Sequence, residues 1–90
     1  SLKEIESANN FSISPNPVET ITNLNFERPM NFDHQEVQMF NILGEQVFST
    51  SLQRGTKTLK LNVERFPKGI YFINITANGS RVSSKKMVIK

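Results

Sequence analysis

The chain has 90 residues and a net charge of +3. Its length limits it to one small domain, and a hydrophobic content of 37% predicts a thin core. It contains no Cys, so a disulfide-stapled scaffold is excluded, and its apolar runs are far shorter than the ~18 residues that span a bilayer. We therefore expect no stable membrane insertion. The charge is uneven, because residues 65–90 hold six basic side chains and no acidic one.

Short segments in which apolar and polar residues alternate, separated by turn residues, predict β-strands along almost the whole chain. Residues 27–35, which include Pro29 and the adjacent Asp33 and His34, are predicted to form a loop. Because no segment has a convincing helical period, we predict an all-β fold, an Ig-like antiparallel β-sandwich of about seven strands. The predicted strands cover residues 11–14, 20–26, 37–43, 46–52, 57–63, 70–77 and 80–90.

Pro, Asn and Gly residues mark the connections between these strands. Two prolines flank Asn16 and remove two backbone donors, so residues 15–17 are predicted to form a turn or a crossing between sheets. Asn78-Gly79 fits a two-residue hairpin with positive φ angles. Residues 1–9 are polar and aperiodic, which indicates a linker or processing region before a domain that covers residues 10–90.

The most apolar strand, residues 70–77, is predicted to lie at the centre of the core. Within residues 37–43 the apolar positions shift from Val37 and Met39 to Phe40 and Ile42, which predicts either burial on both faces or a β-bulge. The predicted core residues are Tyr71, Ile73 and Ile75, beside Leu24, Leu59 and Leu61.

The sequence contains no recognisable catalytic or cofactor-binding pattern. His34 is the only histidine and has no nucleophile at a useful spacing, while the acidic residues are scattered and the glycines stand singly. We expect no enzyme activity, no cofactor and no metal. Nucleic-acid binding is also disfavoured, because Tyr71 and Phe72 belong to the strand predicted to be buried and leave no aromatic platform for bases.

The last predicted strand is basic and is expected to end at Lys90. Alternation places Met87 and Ile89 toward the core and Lys86, Val88 and Lys90 away from it. Lysines on a strand at the edge of a sheet can simply protect that edge from aggregation. Alternatively, the edge is kept unpaired so that an anionic partner can add a strand to it or bind its end.

Four segments in this order resemble the type A C-terminal sorting domain of the type IX secretion system of Bacteroidetes. They cover residues 13–17 (Ile-Ser-Pro-Asn-Pro), 37–47, 66–72 and 86–90 (Lys-Met-Val-Ile-Lys). The whole resemblance extends over about residues 11–90. Its motif residues are Pro15, Asn16, Pro17, Gly44, Gly69 and Tyr71.

The resemblance implies a domain that catalyses nothing and directs an N-terminally fused cargo from the periplasm across the outer membrane of a Gram-negative bacterium. The implied partners are the type IX translocon, outer-membrane shuttle proteins and a sortase-like peptidase that removes the domain, so that the cargo is anchored at the cell surface or released. The alternative is an Ig-like or fibronectin-like accessory module that spaces domains or binds glycans in an extracellular enzyme. The residues expected to be recognised by the translocon are Lys85, Lys86, Met87, Val88, Ile89 and Lys90.

Overall fold

Two antiparallel sheets pack face to face in the computed structural model, which describes residues 10–90. The strands are β1 (Phe11–Ser14), β2 (Ile21–Met30), β3 (Gln35–Asn41), β4 (Gln46–Ser51), β5 (Thr56–Asn62), β6 (Gly69–Ala77) and β7 (Ser80–Ile89). One sheet has the order β1-β2-β5 and the other the order β4-β3-β6-β7. This architecture confirms the predicted β-sandwich. The proposed linker, residues 1–9, lies outside the described residues.

The inner faces of the two sheets form the core, because apolar side chains alternate along each strand. Tyr71, Ile73 and Ile75 point inward from β6 and are at most 5% exposed, as predicted. Leu24 and Leu61 of the three-stranded sheet are equally buried and belong to the same cluster, whereas Leu59 is only half-buried at its margin. Each fully buried aliphatic side chain stabilises the fold by about 1.5–3 kcal/mol.

The predicted loop over residues 27–35 is wrong at both ends. Strand β2 continues to Met30 and β3 begins at Gln35, so only residues 31–34 connect the two sheets here. Pro29 is tolerated in β2 because the pairing register with β5 shifts between Asn25 and Met30. Pro29 therefore lies outside the regular ladder, where its missing N–H group is not required.

The side chain of Gln35 holds the connection between β2 and β3 in place by hydrogen bonds, a role that was not predicted from the sequence. Its Nε2 donates hydrogen bonds to the carbonyl oxygens of Met30 and Gln53 at 3.0 and 2.9 Å. Its Oε1 accepts a hydrogen bond from the backbone N–H of Phe32 at 3.0 Å. Gln35 is only 3% exposed, and these bonds compensate the cost of burying its amide.

Of the two predicted explanations for the apolar shift in residues 37–43, a bulge in that strand is wrong, because β3 pairs with β6 in unbroken register from Gln35 to Asn41. Met39 therefore points inward and Phe40 outward, and the irregularity lies in β4, where Val47 is the extra residue. The register between β3 and β4 shifts between Met39 and Phe40. Ile42, predicted to lie within the strand, instead follows its end in the β3–β4 turn and is 68% exposed. Asn41 closes that turn, since its Oδ1 accepts hydrogen bonds from the N–H groups of Leu43 and Glu45 at 2.9 and 3.0 Å.

The Asn78-Gly79 hairpin between β6 and β7 has the predicted conformation. The φ angles of Asn78 and Gly79 are 53° and 85°, as a two-residue turn between twisted strands requires. The N–H group of Asn78 also donates to the carbonyl oxygen of His34 at 2.6 Å. The hairpin tip is therefore attached to the β2–β3 connection.

Candidate recognition surface at the end of the last strand

The last residues of β7 divide between the core and the solvent as predicted. Met87 and Ile89 are 0% and 3% exposed and point inward. Lys86 and Lys90 are exposed, and Val88 is half-buried on the same side of the sheet as Lys86. Of the six residues expected to be recognised, only Met87 and Ile89 are therefore withheld from a partner, because the side chain of Lys85 is exposed as well.

The basic residues of the C-terminal third do not form a single surface. Lys85 lies opposite Ile73 in the register and lines a cleft with Glu27 of the other sheet, so it faces the opposite side of β7 from Lys86. Arg65 is engaged elsewhere, with its guanidinium carbon 4.9 and 5.3 Å from the centroids of two phenylalanine rings. The charge asymmetry seen in the sequence is thus divided among several faces of the molecule.

The expectation of an unpaired edge along Lys86–Lys90 is wrong. β7 is the outer strand of its sheet, but residues 15–18, which we call the bridging segment, lie against its last residues. The backbone N–H group of Val18 donates to the carbonyl oxygen of Val88 at 2.8 Å. The N–H group of Lys90 donates in turn to the carbonyl oxygen of Val18 at 2.9 Å.

The side chain of Asn16 extends this pairing by two further hydrogen bonds. Its Nδ2 donates to the carbonyl oxygen of Lys86 at 3.1 Å, and its Oδ1 accepts from the N–H group of Val88 at 3.0 Å. One amide side chain therefore satisfies a donor and an acceptor on the edge of β7, as a neighbouring strand would.

The bridging segment is itself anchored in the core. The Oγ1 of Thr22 donates to the carbonyl oxygen of Pro15 at 2.7 Å, and the side chain of Val18 is fully buried. Val18 bridges Ile89 in the four-stranded sheet, although β1 and β2 on either side belong to the three-stranded sheet. Residues 15–17 therefore turn the chain between two neighbouring strands of one sheet, and the segment contacts the edge of the other sheet without crossing into it.

The first residues of β6 include two further motif residues, Gly69 and Tyr71. The hydroxyl of Tyr71 donates to the carbonyl oxygen of Pro67 at 2.6 Å, which fastens the turn before β6 to the buried ring. Gly69 has a φ angle of 152°, and a Cβ atom added there would meet no atom within 4 Å. The glycine is therefore required for its backbone conformation and not for space.

The strand register brings the four motif segments to one end of the sandwich. Tyr71 lies between Asn41 of β3 and Met87 of β7, and Gly69 lies next to Ile89. Ile89 in turn bridges Val18 of the bridging segment. The turn that contains Gly44 begins directly after Asn41. We call this part of the molecule the Lys90 end.

The part of the chain that the structure describes holds no cluster of three or more His, Cys, Asp or Glu side chains that could bind a metal ion. His34 lies exposed on the β2–β3 connection, where its backbone pairs with Asn78. Asp33 forms an exposed ion pair with Arg54 at 2.7 Å. Over residues 10–90 no helix has the length and apolar character needed to cross a membrane.

The model of a family described as "Secretion system C-terminal sorting domain" matches residues 12–90, which confirms the resemblance drawn from the sequence motifs. The chain is also similar to the ulvan lyase NLR42 of Nonlabens ulvanivorans, with 30% identity over 59 residues. That match covers 66% of this chain but only 11% of the lyase.

Solved structures with low sequence identity share the fold. A DUF3244 family protein of Bacteroides vulgatus, described as an immunoglobulin-like β-sandwich, has a TM-score of 0.65 at 12% identity, covering 90% of this chain and 92% of its own. Dimeric latent PorU of Porphyromonas gingivalis also has a TM-score of 0.65, at 19% identity, covering 88% of this chain and 9% of PorU.

Proposed function

This chain belongs to the secretion system C-terminal sorting domain family, and we propose that it is a non-catalytic signal that directs an N-terminally fused cargo across the outer membrane. The route is the type IX secretion system, where outer-membrane shuttle proteins and the translocon recognise the domain. A sortase-like peptidase then removes it, and the cargo stays at the cell surface or is released.

The observation that carries this proposal is the convergence of the motif segments at the Lys90 end. Segments far apart in the sequence meet there, and the bridging segment fixes the edge of β7 through four hydrogen bonds. A fixed surface built from several segments suits a recognition element, because little conformational freedom is lost when a partner binds.

The proportions of the similar proteins also support an appended signal. The matched region makes up only 11% of the ulvan lyase and 9% of PorU. In the comparison with PorU, however, it includes 88% of this chain. A module of this size attached to much larger proteins is expected to serve their transport and not their individual chemistry.

We assign recognition to the outward side chains of Lys86, Val88 and Lys90. Met87 and Ile89 hold the strand in the core, so deleting residues 86–90 removes two buried side chains together with the outward ones. Export lost by that deletion could arise from unfolding alone. Substitutions on the outward face give a sharper test than truncation.

The function is tested by fusing residues 1–90 to the C-terminus of a reporter that carries an ordinary export signal, in a bacterium with a type IX system. We expect the reporter to reach the cell surface or the medium only when the domain is attached. A reporter that remains in the periplasm with the intact domain would falsify the proposal and favour an accessory spacer module.

The role of Lys86 and Lys90 is tested by the double substitution Lys86→Glu and Lys90→Glu in the same fusion. We expect the folded variant to accumulate in the periplasm. The control carries Lys57→Glu and Lys60→Glu, which make the same charge change at exposed positions of β5 in the other sheet. Equal export of both variants would show that charge at the Lys90 end is not recognised.

Removal of the domain is tested on the exported reporter. We propose that cleavage falls on the N-terminal side of the domain, within or before residues 1–9. The intact mass of the exported reporter is then expected to lack residues 10–90. A reporter recovered with the domain still attached would contradict processing without affecting the export signal.

A further inference from the structure

The outer face of the four-stranded sheet, which is turned away from the core, divides into two halves of different chemistry. Its half near the β6–β7 hairpin is polar. Its half near the Lys90 end carries large apolar side chains instead. The polar half includes Glu36, Gln38, Ser49, Ser51, Asn74, Thr76, Arg81 and Ser84.

The apolar half is formed by adjacent positions on three strands. Phe40 of β3 lies opposite Phe72 of β6, and Ile70 lies opposite Val88 of β7. Ile70 and Phe72 are each 39% exposed, while Phe40 and Val88 are half-buried. Ile42, at 68% exposure, extends the surface at the β3–β4 turn. We call these five residues the apolar patch.

The exposure of Phe72 corrects an expectation from the sequence, which placed the ring in the core with Tyr71. Successive side chains of a strand point to opposite faces, so Tyr71 is buried and Phe72 is not. The outer face of an antiparallel sheet is usually polar where it meets water. A contiguous exposed apolar surface therefore indicates contact with another molecule.

Basic residues border the apolar patch along β7 and in the turn before β6. Lys86 lies directly beside Phe72 in the register, Lys90 follows Val88 by two residues, and Lys68 precedes Ile70 by two. The β3–β4 turn contributes one acidic side chain, Glu45, whose carboxylate accepts a hydrogen bond from Asn41 at 2.8 Å. The surface is thus apolar at its centre and mainly cationic at its rim.

We propose that the apolar patch docks a protein surface that presents apolar side chains flanked by carboxylates. The inference rests on the proposed function, in which this partner is a component of the secretion machinery. Aromatic side chains are enriched at such interfaces, and complementary charges at the rim orient the encounter. The strands below the patch are hydrogen-bonded on both sides, because Asn16 and Val18 complete the edge of β7.

Two other occupants fit the patch less well. In a symmetric pair of chains the patch would face its own copy, which would place the basic residues of both chains, including Lys86 and Lys90, around one interface with only the carboxylate of Glu45 in each chain to offset them. An anionic membrane would attract these lysines, but Phe40 is half-buried and Phe72 is only 39% exposed, which leaves little ring surface to insert. Ile42 and Leu43 are more exposed, at 68% and 81%, but the acidic residue Glu45 follows in the same turn.

The first test uses Ile70→Thr with Phe72→Thr in the reporter fusion of residues 1–90. Threonine is compatible with a strand, and both positions are partly exposed, so the variant is expected to fold. The control is Ile21→Thr, which removes an isoleucine of similar exposure, 44%, from the other sheet. We expect the patch variant to be retained in the periplasm and the control to be exported.

A photo-crosslinking phenylalanine analogue placed at Phe72 tests the partner directly and keeps an aromatic ring at that position. The control places the same group at Thr76, in the polar half of the same strand. We expect an adduct with a protein of the secretion machinery from Phe72 and none from Thr76. Adducts only with lipid or only with a second copy of the chain would overturn the proposed partner.

The outcomes separate the docking surface from the sorting function. If the intact fusion is not exported, both the proposed function and the docking surface are wrong. If the intact fusion is exported and the folded patch variant is exported equally well, only the docking surface is wrong. Thermal unfolding of each purified fusion establishes which variants are folded. If the double variant is unfolded, the crosslink at Phe72 decides whether the apolar patch contacts the secretion machinery.

Discussion

The two halves of β7 differ in sequence and in environment, since Ser80–Lys85 is mostly polar whereas Lys86–Ile89 contains Met87, Val88 and Ile89. In Ser80–Lys85 no side chain is buried, and the register with β6 shifts within this half. In Lys86–Ile89 two side chains lie in the core, and the bridging segment covers the edge. The second half is therefore fixed on two sides, whereas the first is held chiefly by its pairing with β6.

This difference indicates how a partner can bind the Lys90 end. Addition of a strand along Lys86–Lys90 would first have to displace Asn16 and Val18 from the edge, and Val18 is fully buried. The backbone of this half is thus already satisfied. The outward side chains and the neighbouring apolar patch remain as the features that a partner can contact without disrupting the fold.

The largest expected difference between the halves concerns burial. Met87→Ala removes a fully buried side chain of the second half and should lower the free energy of unfolding by about 2–5 kcal/mol. Val82→Ala, at a half-buried position of the first half, should cost clearly less. Urea denaturation of both variants measures the difference. Equal losses would show that the two halves are packed alike.

Backbone conformation gives the next largest effect. Gly69, beside the second half, has a φ angle of 152°, which lies outside the regions open to alanine, so Gly69→Ala should cost about 2 kcal/mol. Gly79, which leads into the first half, has a φ angle of 85°, nearer the left-handed region, and Gly79→Ala should cost about 1 kcal/mol. In neither variant would the new Cβ atom meet another atom within 4 Å, so no steric clash contributes. The melting temperatures of the two variants therefore compare only the cost of the backbone conformation.

The hydrogen bonds of the bridging segment give a smaller effect. Asn16→Ala removes both side-chain bonds to β7 and should cost about 1–2 kcal/mol, since each contributes about 0.5–1.5 kcal/mol. Hydrogen exchange at the Val88 amide should become faster. The control Asn74→Ala removes an exposed contact with Ser84 in the first half and should leave that amide unchanged. An unaltered exchange rate in Asn16→Ala would mean that the segment does not protect the edge.

The sequence predicted most of the fold because strand alternation and turn chemistry are local properties. Tyr71 and Ile73, the Asn78-Gly79 turn and the inward direction of Met87 all follow from such signals. The extension of β2 through Pro29 was missed, because a register shift depends on the partner strand. A local pattern contains no information about that partner.

The candidate site was less predictable for the same reason. Asn16 and Lys86 are 70 residues apart, and nothing in either segment shows that one binds the other. The exposed position of Phe72 could have been found by applying alternation strictly to a strand whose Tyr71 is buried. The apolar composition of β6 predicted a buried strand. Phe72 is exposed nevertheless, because among the described residues no further layer covers the outer face of this sheet.

The smallest expected effect on stability comes from substituting two neighbouring lysines, Lys85 and Lys86, at the boundary between the two halves of β7. Lys85 and Lys86 are both exposed, so Lys85→Glu and Lys86→Glu should each change the free energy of unfolding by less than about 0.5 kcal/mol. Their side chains point to opposite faces of β7, and only Lys86 lies beside Phe72 and the apolar patch. In the reporter fusion, Lys86→Glu should therefore reduce export while Lys85→Glu leaves it unchanged. Because the two variants have the same net charge, equal export would mean that total charge matters and the position on the sheet does not.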